Sequence, residues 1–133
     1  MTAKEYLKQY AALNAEINCK LEQLAGLRAI STSIPAPSGG GGSGSPSDRT
    51  GNITAKIVDM ENEINAKIDR LVDLQKEIET VIEAVDDVRY RTILTERYIN
   101  GKKWTDISAI LHIDLRWVYS LHGEALKKIK IHQ

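Results

Sequence analysis

The 133-residue sequence predicts an all-α fold: a long antiparallel helical hairpin of coiled-coil type, then a C-terminal helix-turn-helix domain. Three observations carry this expectation. Apolar residues recur every seven positions along two long stretches. Between those stretches the composition switches to Gly, Ser and Pro. Near the C-terminus, two short apolar-periodic segments are separated by three residues, the second opening on an aspartate. The expected division is a hairpin over residues 1–85, with a flexible loop at 31–52, and a helix-turn-helix domain over residues 86–133.

The first helix is expected over residues 3–30. Tyr10, Ile17 and Leu24 form one seven-residue track, and Tyr6, Leu13 and Leu27 form a second, interrupted by Lys20. Two such tracks on one stripe make a narrow seam rather than a wide globular face. The segment "IPAPSGGGGSGSPSDRTGN" cannot bury apolar surface and reads as a flexible connection. A loop of roughly 20 such residues spans about 25 Å, enough to reverse the chain.

The second helix is expected over residues 53–85. Ile57, Ile64, Leu71, Ile78 and Val85 keep the seven-residue step, and Met60, Leu74 and Val81 hold the companion track, broken by Lys67. Ile53, Ile68 and Ile82 broaden the stripe. Neither seam can stay wet, so the two helices pair within the chain, or with a second copy.

The rhythm stops at "AVDDVRYRTILTERYING". Asp86 or Asp87 caps a third helix to about Asn100, its mixed face made by Val88, Ile93, Leu94, Arg97 and Tyr98. Gly101 suits the left-handed residue that ends a helix. Trp104 to Leu111 is a short helix with Ile107, Ile110 and Leu111 inward. His112 and Ile113 turn the chain, and Asp114 caps a final helix over about 115–131. Short helix, three-residue turn and capped helix are the spacing of a helix-turn-helix.

On the final helix Val118, Leu121, Ala125 and Ile129 form the core face, with Arg116, Ser120, Gly123 and Lys127 opposite. Leu115 and Tyr119 lie on one flank and Trp117 on the other. The expected base-facing set is Leu115, Arg116, Tyr119, Ser120 and Gly123. Arg116 presents a bidentate fork for guanine, and Leu115 suits a thymine methyl. Gly123 either admits a close backbone approach or is a tolerated surface glycine; it costs roughly 1 kcal/mol of helix propensity. Lys102, Lys103, Lys127 and Lys128 bracket the motif as phosphate anchors, which position a protein without specifying sequence. Trp117 is expected to pack on the preceding helix, Trp104 to close the short helix onto the one before it, and Tyr90 and Tyr98 to pack.

Charge divides in the same sense. The whole chain is neutral, with 18 Lys/Arg against 18 Asp/Glu. Residues 86–133 carry nine basic against six acidic side chains, a small local surplus, so one copy should hold DNA weakly.

The stretch "LTERYINGKKWTDISAILHIDLRWVYSLHGEALKKI" resembles region four of bacterial sigma factors, through Tyr98, Gly101, Ile107, Ser108, Leu111, Ile113, Val118, Ala125 and Leu126. Over most of its length the chain is also similar to a family of small proteins encoded by phages and prophages of Gram-positive bacteria. That likeness rests on a long helical pair, a Gly/Ser/Pro loop, the run from Arg97 to Ile107, and the tail "VYSLHGEALKKI". It implies a late-gene transcription regulator that binds double-stranded DNA, with RNA polymerase as a further partner. Three departures stand out: Ser108 in place of alanine, His112 in place of the turn glycine, and Lys103 where a Ser or Thr cap is usual. The alternative expectation is a polymerase- or sigma-binding adaptor without specific DNA binding.

Other chemistry has little to stand on in the sequence. His112, His122 and His132 are ten apart, without further ligands at zinc spacing, and His122 reads as a semi-buried, satisfied imidazole. No metal and no cofactor is expected. No nucleophile constellation, paired carboxylates or phosphate-binding loop is present, so no enzyme is expected. Cys19 is the only cysteine and reads as a small helix residue, which suits a cytoplasmic protein. No apolar run reaches the roughly 18 residues needed to span a membrane.

Overall fold

A computed structural model describes residues 1–33 and 46–131, and it is all-helical: no strand occurs among these residues. The elements are α1 (Ala3–Ser33), α2 (Pro46–Glu83), α3 (Val88–Leu94), a π-helical turn (Thr95–Ile99), α4 (Trp104–Leu111) and α5 (Leu115–Lys128). No helix among the described residues is long and apolar enough to cross a membrane. Both ends of the segment expected to be a flexible loop are helical. Residues 31–33 continue α1 and residues 46–52 already belong to α2, while 34–45 lie outside the described residues. Proline is favoured at a first helical position, because the N–H it lacks would have no partner there. Composition therefore did not mark 31–33 and 46–52 as helical.

The chain divides into two compact units, Ala15–Asp69 and the remainder, Met1–Asn14 with Arg70–Gln133. In the first of these, Ile17, Leu24 and Ile64 are buried along the α1/α2 seam. The two lysines that interrupt the apolar tracks form a reciprocal pair of ion bridges, Lys20 to Glu63 at 3.0 Å and Lys67 to Glu16 at 2.9 Å. Both amines stay mostly covered while reaching a carboxylate on the opposite helix. The hydrogen bond from Lys67 holds Glu16 below the usual carboxylate range, and that to Glu63 raises Lys20. A third bridge joins Arg28 to Glu61 at 2.8 Å. Across these three bridges the α2 partner number falls as the α1 number rises.

In the second unit, α1 starts on a reciprocal capping box that the sequence reading missed. The Glu5 N–H donates to Thr2 Oγ1, and the Thr2 N–H donates to Glu5 Oε2, both at 3.1 Å. Tyr6, Leu7, Leu74, Ile78, Ile82, Val85, Leu94, Tyr98, Ala125 and Ile129 form one buried cluster. The Tyr6 hydroxyl donates to Glu77 at 2.9 Å; burial first, then the facing carboxylate, push its pKa up to about 12. Asp87, rather than Asp86, caps α3 by accepting from the Arg89 N–H at 2.8 Å. The Arg91 guanidinium donates to the carbonyls of Val85 and Asp86, tying down the corner between α2 and α3. A second cluster, Ile93, Ile107, Val118 and Leu121, joins α3, α4 and α5.

The turn between α4 and α5 is a Schellman motif. The Ile113 N–H donates to Ser108 O and the His112 N–H to Ala109 O, with His112 left-handed at φ 56°. Ser108 also donates its hydroxyl to the Ile113 carbonyl, a bond that alanine could not make. Asp114 caps α5 by accepting from the Trp117 N–H at 2.8 Å. Because His112 holds a conformation that costs an L-residue about 1 kcal/mol, His112→Gly is expected to stabilise the fold by about 0.5–1 kcal/mol. Urea unfolding checks this, and a lower midpoint in the variant would contradict it.

Candidate nucleic-acid interface

The outward face of α5 follows from its core face. Val118, Leu121, His122, Ala125 and Ile129 are buried, and at 3.6 residues per turn the opposite side falls to Arg116, Ser120, Gly123 and Lys127. All four are exposed, as are Tyr119, Lys102, Lys103 and Lys128, while Leu115 is half-buried at the helix start. Among the described residues, the Arg116 guanidinium, the Ser120 hydroxyl and the amines of Lys102 and Lys103 have no hydrogen bond or ion pair. Lys127 reaches Glu124, one turn earlier, at 3.3 Å. A Cβ added at Gly123 would meet nothing within 4 Å, so no internal contact demands glycine there.

The approach to α4 carries the two free lysines. Gly101 is left-handed at φ 68°, which reverses the chain after the π-helical turn. The Lys102 N–H donates to Glu96 O at 2.9 Å, and Arg97 Nη1 donates to Lys102 O at 3.0 Å. Lys103 is the N-cap of α4 but contributes no side-chain bond, leaving its amine outward. The backbone of the lysine loop is therefore held from both sides while its amines are unengaged.

Trp104, at the first position of α4, is the junction of this region. Its ring lies 4.4 Å below the Arg97 guanidinium, 4.6 Å from the His122 ring and 5.5 Å from the Tyr119 ring. Edge-on aromatic contacts and a cation over a ring face are both attractive geometries. Arg97 thus links the lysine loop to Trp104, and Trp104 orients Tyr119 on α5. His122 is the one buried polar residue here, and the Tyr98 hydroxyl lies 2.7 Å from its Nε2. Burial chiefly, with the positive charges of Lys4 and Arg97, lowers the imidazole pKa to about 4. The ring is therefore neutral at neutral pH, and its tautomer sets which of the Tyr98 hydroxyl and His122 Nε2 donates in their hydrogen bond. Burial raises the Tyr98 hydroxyl pKa in turn.

Several side chains depart from their expected places. Ile110, expected inward, is 44% exposed, and Trp117, expected to pack on α4, is 49% exposed. Val88, expected on the mixed face of α3, and Ile68, expected to broaden the α2 stripe, are also exposed. Over the eight residues of α4, Ile107 and Trp104 already fill the inner side and Ile110 turns past its edge. Asp114's cap sets the phase of α5 so that Val118 and Leu121 point inward and Trp117 falls on an outer flank. The coupled sets Arg97–Trp104–Tyr119 and Tyr98–His122 were not legible as sets, because they join residues of different helices. The only sequence signal for them was a histidine on the apolar face of α5. Glu96 Oε2 is buried without a partner, while its Oε1 accepts from Asn100 at 3.1 Å. No group of three or more metal-ligating side chains occurs among the described residues, and His132 lies outside them.

Comparison with known proteins gives one family match. Residues 38–130 match a family described as "Protein of unknown function (DUF1492)". No curated protein and no solved structure matches the chain significantly.

Proposed function

We propose that this chain, which belongs to the DUF1492 family of proteins of unknown function, is a DNA-binding transcription regulator of phage or prophage type. In this reading α4 and α5 act as a helix-turn-helix like that of sigma factor region four. α5 enters the major groove, and the helical pair of α1 and α2 serves for dimerisation or for contact with RNA polymerase. One observation carries the reading: a capped helix whose outward side chains, Arg116 and Ser120 with Gly123 between turns, are exposed and unengaged. Beside it stand two exposed lysines on a braced loop. Arg116 and Ser120 would meet base edges, with Tyr119 and Leu115 at the margin, while Lys102, Lys103, Lys127 and Lys128 would meet phosphates.

Recovery of bound DNA from phage-infected cells supplies the test sequence, and binding is then measured across a salt series. Arg116→Ala is expected to cost about 1–2 kcal/mol on the recovered site and little on unrelated DNA. Lys102→Ala is expected to weaken all sequences alike and reduce the salt slope by about one. Unchanged sequence preference in Arg116→Ala would remove α5 from the reading role.

A second reading, a polymerase- or sigma-binding adaptor, is favoured by the exposed indole of Trp117 and the exposed Ile110 side chain. Large apolar groups left in water on this region suit a protein surface better than a phosphate backbone. No gel shift at low salt, together with capture of polymerase lost on Trp117→Ala, would decide for the adaptor.

A further inference from the structure

We infer that the start of α1 adds a phosphate-binding edge to the nucleic-acid interface, through the amines of Lys4 and Lys8. The inference rests on the regulator reading and extends it: duplex DNA is gripped by the N-terminal helix as well as by the helix-turn-helix. Charge counted along the sequence leaves both lysines outside the basic segment that holds the motif.

The placement follows from the packing of α1's first turns in the unit Met1–Asn14 with Arg70–Gln133. Tyr6 and Leu7 are buried with Tyr98, Ala125 and Ile129, and Ala3 and Tyr10 pack against the same cluster. The Tyr6 and Tyr10 hydroxyls donate to Glu77 and Gln75, so α2 lies on their side of α1. Leu7, fully buried, marks the inward direction. At about 100° per residue, Tyr10 and Tyr6 fall about 60° and 100° to one side of it, and Lys4 and Lys8 about 60° and 100° to the other. The two lysines therefore edge the packed face of α1 on the side turned from α2. Lys4 stands close enough to His122 of α5 for its charge to help lower the imidazole pKa, as that of Arg97 does. Trp104 lies 4.6 Å from the same ring and beneath Arg97, which in turn donates to the Lys102 carbonyl. Through His122 and Trp104, this edge of α1 is continuous with the lysine loop.

The chemistry selects a phosphate backbone as the partner. Lys4 and Lys8 are exposed, and among the described residues neither amine has a hydrogen bond or ion pair, which is equally true of Lys102 and Lys103. The carboxylates on the elements that meet here are engaged or turned aside. Glu5 accepts from the Thr2 N–H, Glu96 is partly buried and accepts from Asn100, and Glu124 is bridged to Lys127 at 3.3 Å. Asp106 falls about 160° round α4 from Trp104. What remains is a set of free amines on two separate elements, and it suits a partner with repeated negative charge. Duplex DNA carries a phosphate about every 3.4 Å along each strand, and amines one helical turn apart, their Cβ atoms about 6 Å apart, can neutralise neighbouring phosphates together. Such contacts strengthen binding to every sequence alike.

Binding of the full chain to a mixed-sequence duplex, from about 50 to 200 mM salt, tests this. Lys4→Gln/Lys8→Gln should bind roughly tenfold more weakly than wild type and lower the slope of log affinity against log salt by about 1.8. Lys76→Gln, which removes an exposed lysine of α2, should leave the slope unchanged. Far-UV circular dichroism should be the same for all three. Wild type alone gives a second readout: duplex should slow acetylation of Lys4 and Lys8 severalfold, while Lys76 reacts at its free rate. A double variant with the wild-type slope, or Lys4 and Lys8 unprotected in a chain that binds duplex, overturns the inference and leaves the regulator reading standing. If wild type binds no duplex even at low salt, the regulator reading falls and the inference with it. Retention of that chain on immobilised polyglutamate, lost in the double variant, would then make this edge a docking face for an acidic protein instead.

Discussion

Trp104→Ala is expected to lower stability by about 3 kcal/mol and the melting temperature by roughly 10 °C. The indole is only partly buried, so area alone does not account for that loss. The ring also meets Arg97, His122 and Tyr119 at once, and each such pair is worth about 0.5–1.5 kcal/mol beyond burial. The consequence reaches beyond stability. Without the ring, Arg97 loses half its support and the Lys102 carbonyl loses a firmly placed donor. On the regulator reading proposed above, DNA affinity should therefore fall even at temperatures where the variant remains folded. Thermal and urea unfolding measure the first effect, and binding at 10 °C the second. An unchanged urea midpoint would show that Trp104 is a surface decoration rather than a junction.

The second large effect is acid sensitivity. His122 titrates near 4 in the folded chain and near 6.5 when unfolded. Between these values the unfolded chain binds a proton that the folded chain refuses. Stability from this group is complete above about pH 6.5 and is lost progressively as pH falls towards 4. The loss should be about 2 kcal/mol, allowing for water at the ring edge. Asp87 and Glu16, whose pKa values are lowered in the fold, also lose stabilising charge on acidification, but both are at the surface. The discriminating measurement is the slope of melting temperature against pH in His122→Asn. A slope as steep as wild type between pH 6.5 and 4 would exonerate the histidine.

The all-α class was legible because apolar spacing distinguishes helix from strand over long stretches. The seven-residue tracks placed both long helices, apart from the start of α2, and the Asp114 cap placed the start of α5 to the residue. Spacing was less informative where it concerned only one side of a helix. Ile68, expected to broaden the α2 stripe, sits on its margin and is 37% exposed. Ile110 was counted inward because it is large and apolar, yet the eight-residue α4 has room for few inward positions, and Trp117, expected to pack, lies on an outer flank of α5. On α5 the outward set was readable because Val118, Leu121, Ala125 and Ile129 fix the core direction over three turns. What spacing could not express was pairing between elements. Tyr98 with His122 and Arg97 with Trp104 depend on how α3, α4 and α5 cross.

The π-helical turn at Thr95–Ile99 acts as a phase shifter. In an ordinary helix Arg97 would repeat the direction of Ile93 and enter the core beside it. The wider turn, whose Asn100 N–H reaches back to Thr95 O, advances the backbone by less rotation per residue. Arg97 thereby swings out over Trp104 while Tyr98 stays inward against His122. Two side chains adjacent in sequence are thus given separate tasks, one bracing a surface loop and the other satisfying a buried ring. Helices that kept strict α-helical phase through this segment would have to give up one of the two.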